Sequence, residues 1–81
     1  MNMVYDDDTL YVTVNDKVNE YLYSRLRKRV FNIVNDYAIE KIVLNLVADD
    51  KNNILVAEFI EEFNKNYTAN ITVKWQNIVA V

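Results

Sequence analysis

The sequence predicts an α/β fold, a small β-α-β-α-β core with three parallel strands and two helices packed on one face of the sheet. Three observations predict it. Apolar residues follow strand-like patterns in three short segments, recur every three to four residues in two longer ones, and the two kinds of segment alternate along the chain. Such alternation forms right-handed crossovers between parallel strands. The 81 residues leave room for a single domain, 1–81.

The first parallel strand is predicted at residues 9–14, where every second residue is apolar. Residues 2–5 can add an antiparallel hairpin strand, with the aspartates at 6–8 as the turn. Lys41–Val47 is almost continuously apolar, which is typical of a strand covered on both faces. Residues 71–75 alternate again and predict the last strand, followed by an apolar tail at 78–81.

Two amphipathic helices are predicted, at residues 18–38 and 54–67. Asn15 or Asp16 can cap the first helix, and Asn53 or Asp50 can cap the second. Because two helices cover one face of the sheet, part of the other face should be exposed. The exposed positions expected there are Tyr11, Thr13, Asn45, Thr72 and Lys74.

The composition excludes most common catalytic and binding chemistry. The chain has no Cys, no His and no Gly, and its single serine is Ser24. Disulfides, thiolate nucleophiles, the commonest general base and glycine-rich phosphate loops are therefore absent. We expect no cofactor and no enzymatic activity. The net charge of −3 indicates no affinity for phosphate backbones. Neither a signal peptide nor a membrane-length apolar run is visible, so a cytoplasmic location is expected.

Residues 39–46, with the sequence IEKIVLNL, resemble the central strand of the STAS domain, the module of anti-sigma-factor antagonists and sulfate transporters. The similarity of apolar spacing extends over residues 3–75. The resemblance implies a hairpin, then helix, strand, helix and strand. It also implies a regulatory protein–protein interaction through the loop and helix start at residues 49–57.

The chain departs from the STAS pattern at the regulatory position. Phosphorylatable antagonists carry an Asp-Ser-Ser-Gly-like motif before the second helix, whereas this chain has no hydroxyl there. The glycine usual after the first long strand is also missing. The chain is therefore expected to be a trimmed relative without phosphorylation switching. Its predicted partner-binding residues are Asp49, Asp50, Lys51, Asn52, Asn53, Ile54 and Leu55, where the aspartates offer charge and the last two residues offer apolar contact.

Other interpretations rest on smaller clusters. Carboxylates at Asp16, Asp49 and Asp50 suit Mg²⁺ or Ca²⁺, but Asp is equally typical of turns and caps, and no further carboxylate is recruited. The alternative function is a small phage or mobile-element regulator that binds DNA or inhibits a host nucleic-acid enzyme. A short basic patch on the first helix suits DNA binding, while the small size and acidity of the chain are compatible with an inhibitor that mimics nucleic acid. The residues of the basic patch are Arg25, Lys28 and Arg29. Aromatic residues exceed what two helices can hide, which favours an interface with a protein partner, or with a second copy of the chain, over a small core that simply uses large side chains. Nucleic acid is not the expected partner, because the chain is acidic overall and the basic patch is short.

Overall fold

The structure is a computed structural model that describes residues 1–76, and it has the predicted α/β class. The apolar tail predicted at 78–81 lies outside the described residues. The elements in chain order are β1 (Asn2–Asp6), β2 (Thr9–Thr13), α1 (Glu20–Asp36), β3 (Lys41–Val47), a 3-10 turn (Ala48–Asp50), α2 (Ile54–Asn66) and β4 (Asn70–Gln76).

The four strands form one mixed sheet in the order β1-β2-β3-β4. β1 is antiparallel to β2, while β2, β3 and β4 are parallel, which confirms both the parallel core and the hairpin. Asp7 and Asp8 connect the hairpin strands. Asp7 has φ of 58°, in the left-handed region, where Asp and Asn are tolerated better than most other non-glycine residues.

Both helices pack on the same face of the sheet, as predicted. Each crossover moves one strand further in the same direction, and right-handed crossovers then place their helices on one side. Leu10 and Val12 of β2 point to this face and are fully buried. The helices meet at Phe31 of α1, whose ring centroid lies 6.0 Å from that of Phe59 and 6.3 Å from that of Phe63 in α2. This single layer of helices forms the core.

The start of α1 differs from the prediction. The helix begins at Glu20, two residues late, and its cap is Asn19 rather than Asn15 or Asp16. The Asn19 Oδ1 accepts a backbone N–H of the first turn at 2.8 Å. Val18 stays outside the helix because it is buried and both its N–H and its C=O are bonded to the segment before α2.

Both helices also end one or two residues earlier than predicted. α1 ends at Asp36 and α2 at Asn66, and the next residue in each case, Tyr37 or Tyr67, has extended backbone. The N–H of each tyrosine still donates to a carbonyl of the last helical turn, which closes the helix without a glycine. Asn53 caps α2, one of the two predicted candidates. Among residues 1–76, no helix has the length and apolarity needed to cross a membrane.

Candidate functional site

The segment between β3 and α2, where the partner-binding residues were predicted, turns Asp49 outward and Asp50 inward. Asp50 is 2% exposed. Its Oδ2 accepts the Val18 N–H at 3.1 Å, and its Oδ1 accepts an Asn53 Nδ2 hydrogen at 3.0 Å. A buried carboxylate is tolerated only with such partners. Contrary to the sequence-based expectation, Asp50 therefore cannot offer its charge at the surface.

Asn53 completes the same buried network. Besides Asp50, its Nδ2 donates to the Val18 carbonyl at 2.8 Å, and its Oδ1 accepts the N–H of Leu55 at 2.9 Å. Leu55 is partly buried and packs against the core. Asp50, Asn53 and Leu55 therefore join the β2–α1 loop to the start of α2. Their contacts within the domain explain their presence without a partner.

The remaining predicted partner-binding residues form an exposed surface. Asp49, Lys51 and Asn52 are exposed, and Ile54 leaves 69% of its surface accessible. The Asp49 carboxylate lies 4.0 Å from the Lys17 ammonium, and both side chains are more than two-thirds exposed. Such a surface ion pair contributes little to stability. Of the seven predicted residues, three therefore stabilise the domain and four are accessible to a partner.

A polar hollow of about 260 Å³ lies at the carboxyl ends of the parallel strands. Asp16 and Asp49 line it, together with Asn15, whose Oδ1 accepts a Gln76 Nε2 hydrogen at 3.3 Å. Asp50 belongs to the buried network instead. Within the described part of the chain, no three acidic side chains are grouped so that they could hold a metal ion.

The basic patch lies on the outer side of α1. Lys28 and Arg29 are exposed, and the Arg25 guanidinium lies 5.6 Å from the centroid of the Tyr21 ring. Across residues 1–76, none of these three cations forms an ion pair.

A neighbouring cation, Arg27, is bound instead within the domain. Its guanidinium forms two hydrogen bonds to Glu62 of α2 and lies 5.0 Å from the Phe31 ring centroid. This ion pair lowers the pKa of Glu62 and raises the pKa of Arg27. Arg27 therefore joins the helices and is not part of the patch.

The sheet face opposite the helices has no covering layer among the described elements. Val4, Tyr11 and Val43 are adjacent on it, because the register pairs Val4 with Tyr11 and Tyr11 with Val43. Val4 is 51% exposed and Tyr11 41% exposed. The five positions predicted for this face do lie on it: Tyr11, Thr72 and Lys74 are exposed, and Thr13 and Asn45 are half-buried. We call this uncovered face of the sheet, with the row Val4, Tyr11 and Val43 at its centre, the open sheet face.

Sequence reasoning missed Val4 and Val43 as members of this surface. Val43 sits in an apolar run that predicted a strand buried on both faces, and Val4 depends on the hairpin register. Pairing the hairpin around the two-residue Asp7–Asp8 turn would have placed Val4 beside Tyr11. The helices cover only one face of β3, and on the other face Val43 and Asn45 are half-buried.

Several aromatic side chains are exposed elsewhere. Tyr5 of β1 and Tyr37 after α1 have ring centroids 5.8 Å apart and line an apolar hollow with Ile33. Tyr5 is 48% exposed, Tyr37 60% and Tyr21 67%. Some aromatic residues are therefore exposed, which agrees with the prediction that two helices cannot hide them all.

An acidic pair lies at the amino ends of β2 and β3, whereas the polar hollow lies at the carboxyl ends of the parallel strands. The carboxyl groups of Asp8 and Glu40 share a hydrogen bond, which lowers the pKa of Asp8 and, with the repulsion from Asp8, raises the pKa of Glu40. The backbone holds them together, because the Glu40 N–H donates to the Asp8 carbonyl at 2.8 Å. Sequence reasoning did not find this pair, whose members are far apart in the chain.

Comparison of the chain with protein-family models, with curated proteins and with solved structures gives no match. The STAS resemblance therefore stays a prediction.

Proposed function

We propose that this chain is a non-enzymatic protein-interaction domain whose open sheet face docks a partner protein. One observation carries the proposal. Val4, Tyr11 and Val43 form an accessible apolar row across three strands, on a face that no described helix covers. Apolar surface of this kind, contiguous and rimmed by polar residues, is typical of protein-binding sites.

The chemistry around the row supports a protein as the ligand. Thr13 and Asn45 flank the row, and the Asn45 Nδ2 lies 3.5 Å from the Thr13 hydroxyl. The charged residues of this face, Asp6, Lys41 and Lys74, lie in the outer rows of the register. An apolar centre with a polar rim matches protein interfaces, in which tyrosine is a frequent energetic anchor. The proposed partner presents an apolar patch bordered by hydrogen-bonding groups.

The exposed loop surface (Asp49, Lys51, Asn52 and Ile54) is the second docking surface that the sequence predicted. It offers one exposed apolar side chain, Ile54, whereas the open sheet face offers two, Val4 and Tyr11, beside the half-buried Val43 in the same row of the register. Asp50 and Asn53 are used within the domain, so the loop has fewer side chains available to a partner. We therefore favour the sheet face and treat the loop as a competing site that the same experiment tests.

A STAS-like regulatory role is part of the proposal. The observed order of elements agrees with the order that the resemblance implies, although unrelated α/β domains share such orders. The segment between β3 and α2 has no hydroxyl group that a kinase could phosphorylate. Docking would then be governed by the amounts of the two proteins rather than by a covalent switch.

The proposal is tested by affinity capture followed by reconstitution with the purified partner. The test variant is Val4→Thr with Tyr11→Thr, because threonine keeps the β-branched character that strands favour. Tyr21→Gln is the control, since it removes a still more exposed tyrosine from α1, away from the sheet face, and Ile54→Ser tests the loop. Loss of a hot-spot tyrosine weakens binding by about 30-fold or more.

Support requires that the purified partner bind the wild type and Tyr21→Gln equally and bind the sheet variant at least tenfold more weakly. Equal binding by the sheet variant, with thermal melts showing that it is folded, would refute docking through this face. If only Ile54→Ser lost binding, the loop would replace the sheet face as the site.

A further inference from the structure

We infer that two copies of this chain associate through β4, pairing Asn70–Gln76 antiparallel to itself so that two four-stranded sheets become one of eight strands. β4 is at the edge of the described sheet, so the backbone groups on its outer side have no strand partner among residues 1–76. This inference is independent of the docking proposed for the open sheet face.

The β4 edge lacks the features that usually protect an edge strand. It has no proline and no bulge. Its pairing with β3 is continuous, from Asn70 opposite Lys41 to Gln76 opposite Val47. Lys74 is its single charged residue. The other edge, β1, is shorter and ends at Asp6, the first of three consecutive aspartates.

The apolar side chains of β4 are incompletely buried. Ile71, Val73 and Trp75 point to the helix-covered face but remain partly exposed. Their neighbours in β3 are completely buried: Ile42, Leu44 and Leu46. A strand added beyond β4 would cover the exposed sides of these three residues, as β4 itself covers β3.

Symmetry restricts the register of such a pairing. Paired residues of antiparallel strands share a face, so the two-fold axis must pass through a residue and not between two. An axis at Val73 pairs all seven residues, whereas an axis at Thr72 or Lys74 pairs fewer. An axis at Lys74 would also place two ammonium groups opposite each other, which is destabilising.

The register centred on Val73 is self-complementary. Its pairs are Asn70 with Gln76, Ile71 with Trp75, Thr72 with Lys74, and Val73 with Val73 of the second copy. Two amides can hydrogen bond, and an aromatic beside a β-branched residue is a favourable cross-strand pair. The two Lys74 side chains are diagonal neighbours, about 7–8 Å apart at the backbone, and can extend away from each other into solvent.

Charge substitution at Thr72 tests this register, because Thr72 is exposed in the single chain and should lie opposite Lys74 of the second copy. Two such pairs form in each dimer. Thr72→Glu should therefore tighten dimerisation about fivefold and Thr72→Lys should weaken it about fivefold, relative to the uncharged control Thr72→Gln. Thr72→Lys combined with Lys74→Glu should restore it. Sedimentation equilibrium from micromolar to millimolar concentration gives the dimer constants.

The inference is supported if dimer affinity decreases in the order Thr72→Glu, Thr72→Gln, Thr72→Lys, and if Thr72→Lys combined with Lys74→Glu restores it. A monomer at every concentration would overturn it, as would a dimer indifferent to these charges or an assembly larger than two. Val4→Thr with Tyr11→Thr should leave the dimer unchanged. Loss of the dimer in that variant would place self-association on the open sheet face and refute pairing through β4.

Discussion

Replacing Asp50 tests the buried network most severely. In Asp50→Asn the new amide cannot accept both of the hydrogens that the carboxylate accepts, those of Val18 N–H and Asn53 Nδ2. Asn53 cannot rotate to compensate, because its amide already binds the Val18 carbonyl and the Leu55 N–H. One buried donor is left facing another, at a cost of about 1–3 kcal/mol.

The loss is a substantial fraction of the stability of a domain this size, which is about 4–12 kcal/mol for 81 residues. It should lower Tm by roughly 4–8 °C for each kcal/mol lost. Urea unfolding followed by Trp75 fluorescence measures it. Asp49→Asn is the matched control: its carboxylate is exposed, so its stability should change by less than about 0.5 kcal/mol. Equal stabilities for the two variants would refute the assignment of Asp50 as the residue that fastens the β2–α1 loop.

Three further predictions concern the turn, the acidic pair and the basic patch. Asp7→Val should cost about 1–2 kcal/mol of stability in urea because of the left-handed φ of 58°, whereas Asp7→Asn should stay within about 0.5 kcal/mol of the wild type; a tolerated valine would contradict the turn geometry. Glu40→Gln should raise Tm at pH 7, since the raised pKa of Glu40 means that the fold favours its protonated form. The gain in Tm should disappear as pH falls below 4.5, the ordinary pKa of Glu40. A gain that persists at low pH would contradict the pairing with Asp8. Duplex DNA should show no gel shift at physiological salt, because three cations release too few counterions for stable binding; a shift abolished by Arg25→Ala, Lys28→Ala and Arg29→Ala together would favour the alternative function.

The strand assignments could be predicted from local patterns alone. Lys41–Val47 was bounded correctly at both ends, because Glu40 precedes it and, after Ala48, two aspartates follow it. β4 and the hairpin differ from expectation by a residue or two at their ends. Parallel order followed from the alternation of strands and helices, which leaves few connections possible.

The details that fix the candidate site could not be predicted, because contacts distant in sequence decide them. Asn15, Asp16 and Asn19 are all suitable caps, and the choice depends on Val18, which is held by Asp50 across 32 residues of chain. Asp49 and Asp50 are chemically identical, and only the 3-10 turn determines which is buried. The same turn therefore separates the residue that stabilises the fold from the residue available to a partner.

Methyl NMR with a soluble paramagnetic probe tests the central claim most directly, since the proposed function requires an accessible second face of the sheet. In the isolated protein, the methyl signals of Val4 and Val43 should broaden strongly, while those of Val12 and Leu44, on the covered face, should not. Protection of Val43 equal to that of Leu44 would show that the face is covered, and would contradict the docking surface proposed for it.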